Sequence, residues 1–440
     1  MSSRELTGYR GRALEILRGS KASIGDILEV KTEWGTVTGT LVPRYEHADD
    51  GQVVLKLKSG YNIGLSVSKL NGLSVKSRGE KPAFATPERL KSKTGLPRVL
   101  ILGTGGTIAS RVDYRTGAVR PAISARELHA LIPELLDIAE VDPEILFNVF
   151  SENIEPRHWS RLAERVVKAV AQGYDGVVVT HGTDTLGFTA AALSFALEGV
   201  PVPVVLVGAQ RSSDRPSSDS TLNLIGGVSV AATAQFSGVY VAMHFDESDD
   251  IIAVHCGTRV RKNHTSRRDA FASVGIPLAA VWRQTGIEII TPNLPGRGGD
   301  GRFRPSTRFD AKVALLKFYP SMPRDLISYM SAKGIRGLVL EGTGLGHVNS
   351  KGISAIKAFV KAGGLVCMTS QCIHGRVDLN VYDTGRDLAR VGVLPLEDML
   401  AETALVKAMW ALGNSSSVSE AKGKMLENLA GEMTGRRFPG

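Results

Sequence analysis

Residues 98–110 read RVLILGTGGTIAS, an apolar run that ends in a glycine-rich turn. Similar apolar runs follow at residues 176–180 (GVVVT) and 204–207 (VVLV), with helical stretches at 159–170 and 190–197 between them. A strand that is apolar along its whole length is buried on both faces, as in a parallel sheet covered by helices. The pattern therefore predicts an α/β domain of the doubly wound kind.

A glycine- and arginine-rich stretch, PGRGGDG at residues 295–301, marks the end of this domain, which we assign to residues 98–294. We expect residues 295–310 to be a linker. Three further apolar runs follow and are separated by helical stretches: VALL at 313–316, GLVL at 337–340 and GLVCM at 364–368. They predict a second, smaller α/β domain with a parallel sheet over residues 311–440.

The first 78 residues have a different pattern, in which short segments rich in β-branched residues are separated by turn residues. Strands are predicted at residues 27–31, 35–42, 53–58 and 61–67, after a polar helix at 9–17. Short strands at even spacing favour a small barrel. We therefore predict a small β-barrel domain over residues 1–78. Residues 79–97 are charged and contain prolines, which predicts a linker.

The composition is that of an ordinary globular protein, with 440 residues, 43% hydrophobic and 22% charged. No apolar run approaches the roughly 20 residues that a bilayer-spanning helix needs. The first residues lack the apolar stretch of a secretory signal. Three cysteines, Cys256, Cys367 and Cys372, are an odd and sparse set that argues against a disulfide framework. We expect a cytoplasmic protein without a membrane partner.

The net charge of +9 is concentrated towards the N-terminus, because residues 1–93 contain 16 Lys or Arg and 10 Asp or Glu. A basic segment attracts phosphate backbones such as those of nucleic acids. The same excess is also typical of a solvated lysine-rich surface. The charge alone leaves both interpretations open.

The glycine-rich turn after the first apolar run contains the first candidate for chemistry. Dinucleotide binding would require glycine where Ile108 stands, and a Walker loop would require a lysine after Gly106, so phosphate binding is the weaker interpretation. Glycines also allow a sharp turn that exposes a hydroxyl, here that of Thr107, as a nucleophile. The alternative is that Thr107 caps the next helix, and the local pattern leaves that open.

A second polar cluster, HGTDT, follows the strand predicted at 176–180 and places Thr183 beside Asp184. In open α/β sheets ligands bind at the carboxyl ends of the strands, where both clusters lie. A lysine held near an aspartate can act as the base that activates a hydroxyl, and Lys262 is the candidate. His181 is interpreted as a packing or hydrogen-bonding residue.

GTGGTIAS after one strand and HGTDT after another resemble the bacterial-type L-asparaginase/glutaminase family, and the resemblance extends from residue 98 to the C-terminus. It includes residues 113–118 (the mobile loop of the family), Lys262 and residues 382–386. With the N-terminal barrel, the whole chain resembles the glutaminase subunits of archaeal Glu-tRNA(Gln) amidotransferases. The expected fold is thus two asparaginase-like domains preceded by a small β-barrel.

The resemblance implies a role for each candidate. Thr107 would be the nucleophile and Tyr114 would assist it and close over the substrate. Thr183 would position water or act as the alternative nucleophile, and Lys262 would accept the proton, oriented by Asp184. The order of attack of the two threonines stays open.

The resemblance also implies how the substrate is held. Ser151, Glu152 and Asp184 would bind the carboxylate and ammonium of the substrate. The alternative for Glu152 is a helix cap before Pro156.

The same resemblance implies the partners. A GatE-like subunit would bind the misacylated Glu-tRNA(Gln) and use ATP and Mg²⁺ to activate its glutamate, while this chain needs no cofactor and forms a homodimer core within a heterotetramer. Glutamine is the expected substrate, although the preference over asparagine stays open. The alternatives are a free-standing L-asparaginase and a basic RNA-binding scaffold with an inactive body.

No metal site is predicted. His244, His255 and His264 lie near several acidic residues, but their spacing matches no standard zinc pattern.

Overall fold

The computed structural model describes residues 6, 8–44, 49–57, 62–78, 95–105, 110–112, 119–121, 132–211, 217–323 and 325–435, of which 110–112 and 119–121 are described by their backbone alone. Within these ranges, no helix combines the length and the apolar character that a bilayer crossing requires.

The N-terminal part is a five-stranded antiparallel sheet with one helix packed against it. The helix α1 spans Gly11–Gly19, slightly later than the predicted 9–17. The strands are β1 Ile27–Thr32, β2 Gly35–Leu41, β3 Gln52–Lys56, β4 Asn62–Ser66 and β5 Leu70–Ser77, with a 3-10 turn at Val67–Lys69 before β5. Their order in the sheet is β4-β3-β2-β1-β5. The small β-rich domain that the sequence predicts is therefore present.

Alternation of side chains along the strands builds the core of this domain. Leu28 and Val30 of β1 are fully buried and pack with Ala13 and Leu17 of α1. Because successive side chains of a strand point to opposite faces, the intervening Glu29 lies on the other face of the sheet. The apolar face thus requires the helix as its cover.

The central domain is built on an eight-stranded sheet of order β17-β16-β13-β12-β11-β10-β6-β9. Its strands are β6 Arg98–Gly103, β9 Glu140–Ile145, β10 Gly176–Thr180, β11 Pro203–Val207, β12 Gly238–His244, β13 Ile252–Cys256, β16 Ala280–Arg283 and β17 Gly286–Ile289. β6, β10 and β11 are parallel, as the apolar runs predict, and β9 and β12 extend this parallel set to five strands. β13, β16 and β17 continue the sheet in antiparallel fashion.

Helices cover both faces of this sheet. They are α2 Pro156–Ala171, α3 Leu186–Ala196 and α4 Ser220–Thr233, with 3-10 turns at Pro133–Asp137, Ser151–Asn153 and Thr183–Thr185. Two short hairpins leave the sheet: β7 Ser110–Val112 with β8 Val119–Pro121, and β14 Val260–Lys262 with β15 Phe271–Ser273. The arrangement is the α/β class with a largely parallel sheet that the sequence predicts.

The C-terminal domain has a four-stranded parallel sheet of order β18-β19-β20-β21. Its strands are β18 Val313–Lys317, β19 Gly337–Gly342, β20 Leu365–Ser370 and β21 Leu394–Pro395. Its helices are α5 Leu326–Ala332, α6 Ile353–Lys361, α7 Asp383–Arg390, α8 Ala401–Gly413 and α9 Val418–Leu426, with a 3-10 turn at Ser350–Gly352. One core joins the two α/β domains, because Phe195 of α3 packs against Trp410 of α8.

The sequence predicts two linkers, at residues 79–97 and 295–310. Of the segment 79–97, residues 79–94 lie outside the described residues. Residues 295–310 contain no helix and no named strand, but they are firmly attached to the central domain. The Arg297 guanidinium donates to the backbone oxygens of Asp175, Ala231 and Ala234 at 2.7, 2.8 and 2.6 Å. The segment therefore packs at the end of the sheet where the parallel strands begin, opposite their carboxyl ends.

Candidate active site

Three neighbouring strands of the central sheet end side by side. Thr180 at the end of β10 pairs with Gly103 of β6 on one side and with Val207 of β11 on the other. The backbone amide and the hydroxyl of Thr104 both donate to the Thr180 carbonyl, at 3.1 and 2.9 Å. The loops that follow β6, β10 and β11 therefore start side by side at the carboxyl ends of these strands, as expected for parallel strands.

The first candidate loop leaves these strand ends at Gly105, whose φ of +126° disfavours any residue with a side chain. A Cβ atom there would lie 2.1 Å from the Val149 carbonyl oxygen. Thr107 and Tyr114, the predicted nucleophile and its assistant, lie at 106–109 and 113–118, outside the described residues. Their roles stay predictions.

The second candidate group converges as the sequence predicts. The Lys262 Nζ atom donates to Thr183 Oγ1 at 3.0 Å and to Asp184 Oδ1 at 2.7 Å. The lysine side chain is 14% exposed and that of the aspartate 68% exposed. An amine in contact with a hydroxyl can exchange a proton with it, and the open carboxylate remains accessible to a substrate ammonium.

The hairpin β14–β15 carries the lysine to this place. Lys262 pairs with Phe271, and the buried Val260 and Phe271 anchor the hairpin in the apolar core on this face of the sheet. The neighbouring Arg261 extends to Glu402 of α8, with 3.3 Å between the charged atoms. The hairpin strand that carries the lysine is thus attached to both the central domain and the C-terminal domain.

The predicted substrate-binding turn, Ser151–Asn153, packs against the Thr183 turn. The Thr185 hydroxyl donates to the Ser151 carbonyl at 2.6 Å, and a Cβ atom on Gly182 would lie 2.8 Å from Ser151 Cβ. Ser151 is buried, and Glu152 is exposed. Both side chains therefore lie on a turn that is in contact with the Lys262 cluster.

The alternative role for Glu152, a helix cap, is not observed. Helix α2 begins at Pro156, and its N-cap is Glu155. The Glu155 carboxylate accepts from the amide of His158, and the His158 ring accepts from the Glu155 amide, which forms a reciprocal capping box. Glu152 therefore lies one turn too early to perform this function.

His181 supports the Thr183 turn from inside the protein. Its Nδ1 lies 2.7 Å from the Gly182 carbonyl oxygen and its Nε2 lies 2.9 Å from Thr189 Oγ1, which accepts from Trp159 Nε1. Burial lowers the pKa of His181 to about 4, although the bond to Gly182 opposes this. A neutral ring is therefore enclosed in a chain of hydrogen bonds, in agreement with its predicted bonding role.

Sequence reasoning missed a polar network behind the loop that follows β11. Asp219 is fully buried, and its carboxylate accepts from the amides of Gln210 and Arg211 at 3.0 and 2.9 Å. Asn223 donates to the Gly208 carbonyl at 2.9 Å and contacts the buried His244 at 2.6 Å. The only local signal was an aspartate directly before a helix.

This network holds the loop that follows β11, and that loop lies against the Thr183 turn. A Cβ atom on Gly208 would lie 2.8 Å from Thr183 Cγ2, so the two loops are in close contact. His244 forms a hydrogen bond with Asn223, and His255 forms one with Ser273. Among the described residues, no group of three or more His, Cys, Asp or Glu side chains is arranged to hold a metal ion.

Three family models match most of the chain. The model "Asparaginase, N-terminal" matches residues 98–294, "Glutaminase/Asparaginase C-terminal domain" matches 312–425, and "GatD N-terminal domain" matches 22–75. The L-asparaginase structure from Thermococcus kodakarensis superposes with a TM-score of 0.69 at 34% identity, covering 77% of this chain and 100% of its own. The α/β body is thus that of the asparaginase family.

The relatives define the family more closely. The D subunit of the glutamyl-tRNA(Gln) amidotransferase from Pyrococcus abyssi is 48% identical over 96% of this chain and 98% of its own length. Its counterpart from Metallosphaera sedula is also 48% identical, over 98% of this chain and 97% of its own length. This chain belongs to the GatD family, which comprises the D subunits of glutamyl-tRNA(Gln) amidotransferases.

Proposed function

We propose that this chain is the glutaminase subunit of a Glu-tRNA(Gln) amidotransferase, which releases ammonia from the side-chain amide of glutamine. The observation that carries the proposal is the contact of the Lys262 amine with both the Thr183 hydroxyl and the Asp184 carboxylate. This cluster lies at the sheet edge from which the Thr107 loop departs. The family supports the reaction, because relatives 48% identical to this chain are named as D subunits of glutamyl-tRNA(Gln) amidotransferases.

In the proposed reaction, the Thr107 hydroxyl oxygen attacks the amide carbon of glutamine, and its proton passes to a base. The tetrahedral intermediate expels ammonia, which leaves with that proton, so that a glutamyl ester remains on the threonine. Water positioned by Thr183 then hydrolyses the ester, returns a proton to the threonine oxygen and releases glutamate. Lys262 is the proton acceptor, oriented by Asp184, and Tyr114 assists Thr107.

The substrate backbone is held, in this proposal, by Ser151, Glu152 and Asp184. Two carboxylates suit the substrate ammonium, and the serine hydroxyl suits the substrate carboxylate. The exposure of Asp184 and of Glu152, on two turns that contact each other through Thr185 and Ser151, supports this assignment. No cofactor of this chain takes part in these steps.

The ammonia is passed, in this proposal, to a GatE-like partner that binds Glu-tRNA(Gln) and activates its glutamate with ATP and Mg²⁺. The relatives are named as subunits, which implies a complex with a further chain. We place a homodimer of this chain at the core of a heterotetramer, in the cytoplasm, with tRNA bound mainly by the partner. The domain at 22–75, matched by the GatD N-terminal model, supports this view over a free-standing asparaginase.

The test is ammonia release by the purified chain, alone and together with its partner, from glutamine and from asparagine. We expect hydrolysis of glutamine that increases when the partner and Glu-tRNA(Gln) are present, and co-purification of a second protein and tRNA with the chain. Strong asparagine hydrolysis by the isolated chain, unchanged by charged tRNA and partner, would instead establish a free-standing asparaginase. RNA binding without any amide hydrolysis would establish an inactive scaffold.

A further inference from the structure

Arg259 is one of the largest fully buried side chains of the described structure, and it lies three residues before Lys262. It is 1% exposed and belongs to the turn that joins β13 to β14. The Val274 amide donates to its carbonyl at 2.8 Å, which fixes the backbone at the base of the hairpin. A charged side chain at this depth requires partners that replace water.

These partners belong to the C-terminal domain. The Arg259 Nη2 atom donates to Asp398 Oδ2 at 2.7 Å, and Nη1 donates to the backbone oxygens of Asp398 and Glu432 at 2.8 and 3.0 Å. The planar guanidinium is suited to such simultaneous contacts, which a lysine ammonium reproduces poorly. Gly275, at φ +74°, leaves room for the group, since a Cβ there would lie 2.6 Å from Nη2.

The receiving groups are themselves fixed in a cluster that we call the C-terminal clamp: Asp398, Lys407, Glu432 and Thr434. The backbone amide and the hydroxyl of Thr434 both donate to the Asp398 carboxylate, at 2.9 and 2.6 Å. Lys407 and Glu432 are fully buried and form an ion pair. The clamp is therefore a rigid support rather than a flexible surface contact.

Further contacts attach the residues beside Arg259 to the same domain. The Thr258 hydroxyl donates to the Ala430 carbonyl at 2.9 Å, and the Thr403 hydroxyl donates to the Thr258 carbonyl at 2.8 Å. Arg261 pairs with Glu402 at 3.3 Å. Residues 258–261 are thus tied to the C-terminal domain along their length, and the next residue is Lys262, which extends back to Thr183 and Asp184 of the central domain.

We propose that Arg259 is a positioning residue for Lys262: by holding the base of the β14–β15 hairpin to the C-terminal clamp, it fixes where the lysine amine meets the Thr183 hydroxyl. The inference rests on the proposed function and adds to it a role for the C-terminal domain. Through this link, the second α/β domain contributes to the geometry of the site, while the Lys262 amine donates to Thr183 and Asp184 of the central domain.

The test replaces Arg259 by lysine, which keeps a charge but cannot reproduce the three hydrogen bonds. Because misplacing a reacting group by about 1 Å can cost about 100-fold in rate, we expect kcat for glutamine to fall ~10- to 100-fold while KM stays nearly constant. The matched control is Arg297→Lys, which also removes three guanidinium contacts but at the opposite edge of the sheet. It should leave kcat unchanged.

A second readout does not depend on activity. The rate at which an amine reagent acetylates Lys262, followed by mass spectrometry, should increase in Arg259→Lys, since the lysine would be held less firmly between Thr183 and Asp184. Asp398→Asn keeps the shape of the acceptor and should also increase the acetylation rate of Lys262. This variant tests the proposal if Arg259→Lys folds poorly. Equal kcat and equal acetylation in Arg259→Lys, Asp398→Asn and Arg297→Lys would overturn the proposal.

The failure of this inference differs from the failure of the proposed function. If the native chain with its partner does not hydrolyse glutamine, the proposed function is wrong. If Lys262→Met hydrolyses glutamine normally, the proposed role of Lys262 is wrong. If the native chain is active and Lys262→Met is inactive, while Arg259→Lys matches the Arg297→Lys control in both readouts, only the positioning role is wrong.

Discussion

Lys262 and Asp184 lie 78 positions apart in the sequence, yet the lysine Nζ lies 2.7 Å from a carboxylate oxygen of the aspartate. The pair is asymmetric in its exposure, because the lysine side chain is 14% exposed and the aspartate side chain is 68% exposed. The amine is therefore fixed from the protein side, while the carboxylate faces solvent. One cluster can thus combine a proton acceptor with a binding group for a substrate ammonium.

The Lys262→Met variant should lose ammonia release. A positioned acid or base contributes about 100- to 10,000-fold to a rate, so kcat should fall by that factor, as measured by ammonia formation from glutamine with the partner present. The melting temperature should change little, because a pair with one exposed member contributes about 0–1 kcal/mol to stability.

A matched control for this variant is Lys317→Met. Lys317 forms an ion pair of 3.2 Å with Glu341 in the C-terminal domain, and its side chain is 62% exposed. The same chemical change at this position should leave kcat intact. If Lys262→Met retained normal turnover, Lys262 would not be the proton acceptor.

The two threonines should differ in the covalent intermediate that they allow. Valine keeps the shape of threonine and removes the hydroxyl. Thr107→Val should therefore eliminate the glutamyl ester, and Thr183→Val should let it accumulate, because water would no longer be positioned for hydrolysis. Mass spectrometry of acid-quenched enzyme measures the adduct. An adduct on residue 183 in the Thr107→Val variant would reverse the two roles.

Much of the fold follows from local patterns in the sequence. The runs at 98–102 and 176–180 are strands because their central residues are apolar and lie inside a covered sheet. The helix predicted at 159–170 begins earlier, at Pro156, because its first turn is polar and is stabilised by the Glu155–His158 capping box rather than by apolar packing. The apolar pattern does not predict strand β9, because Pro143 interrupts the apolar residues of this segment. A proline is tolerated there because β9 is the edge strand of the sheet.

The candidate site was less accessible to local reasoning. Chemical reasoning made Lys262 a candidate base and the resemblance to a family supported it, but only the structure brings it to Thr183 and Asp184. The supporting groups carry no local signal, because Arg259 meets Asp398 and Glu432 only after two domains have packed together. Contacts at separations of 139 and 173 residues follow from tertiary packing and not from spacing along the chain.

The free energy of unfolding should decrease as the pH falls from 7 to 4, and buried histidines should contribute. Burial lowers the pKa of both His181 and His255 from the ordinary value of 6.5 to about 4. Between these values the unfolded chain binds protons that the folded chain does not, so acid favours unfolding by roughly 3 kcal/mol per histidine. Above about pH 6.5 this penalty is absent, and below about pH 4 it is constant.

Urea unfolding at several pH values tests this effect. The His255→Gln variant should show a weaker dependence of unfolding free energy on pH between 4 and 6.5 than the native chain. His374→Gln, which changes an exposed ring, is the control. An unaltered slope in His255→Gln would mean that this buried ring does not titrate in the expected window.

Gly182→Ala should weaken substrate binding through a steric effect on the neighbouring turn. Gly182 has φ −69°, so alanine is allowed by the backbone, but its Cβ would lie 2.8 Å from Ser151 Cβ and 2.9 Å from Ser151 Oγ. Because Ser151 is buried and its carbonyl accepts from Thr185, the serine cannot move without displacing the Ser151–Asn153 turn.

The kinetic signature separates this displacement from general damage. We expect KM for glutamine to increase more than kcat decreases, since Ser151 and Glu152 are proposed to hold the substrate backbone rather than the reacting amide. Gly423→Ala in helix α9, where a Cβ would meet no atom within 4 Å, is the control and should leave KM unchanged. A Gly182→Ala enzyme with native KM and reduced kcat would contradict this expectation, because the change would then act on the reacting centre, which includes the adjacent Thr183, and not on substrate binding.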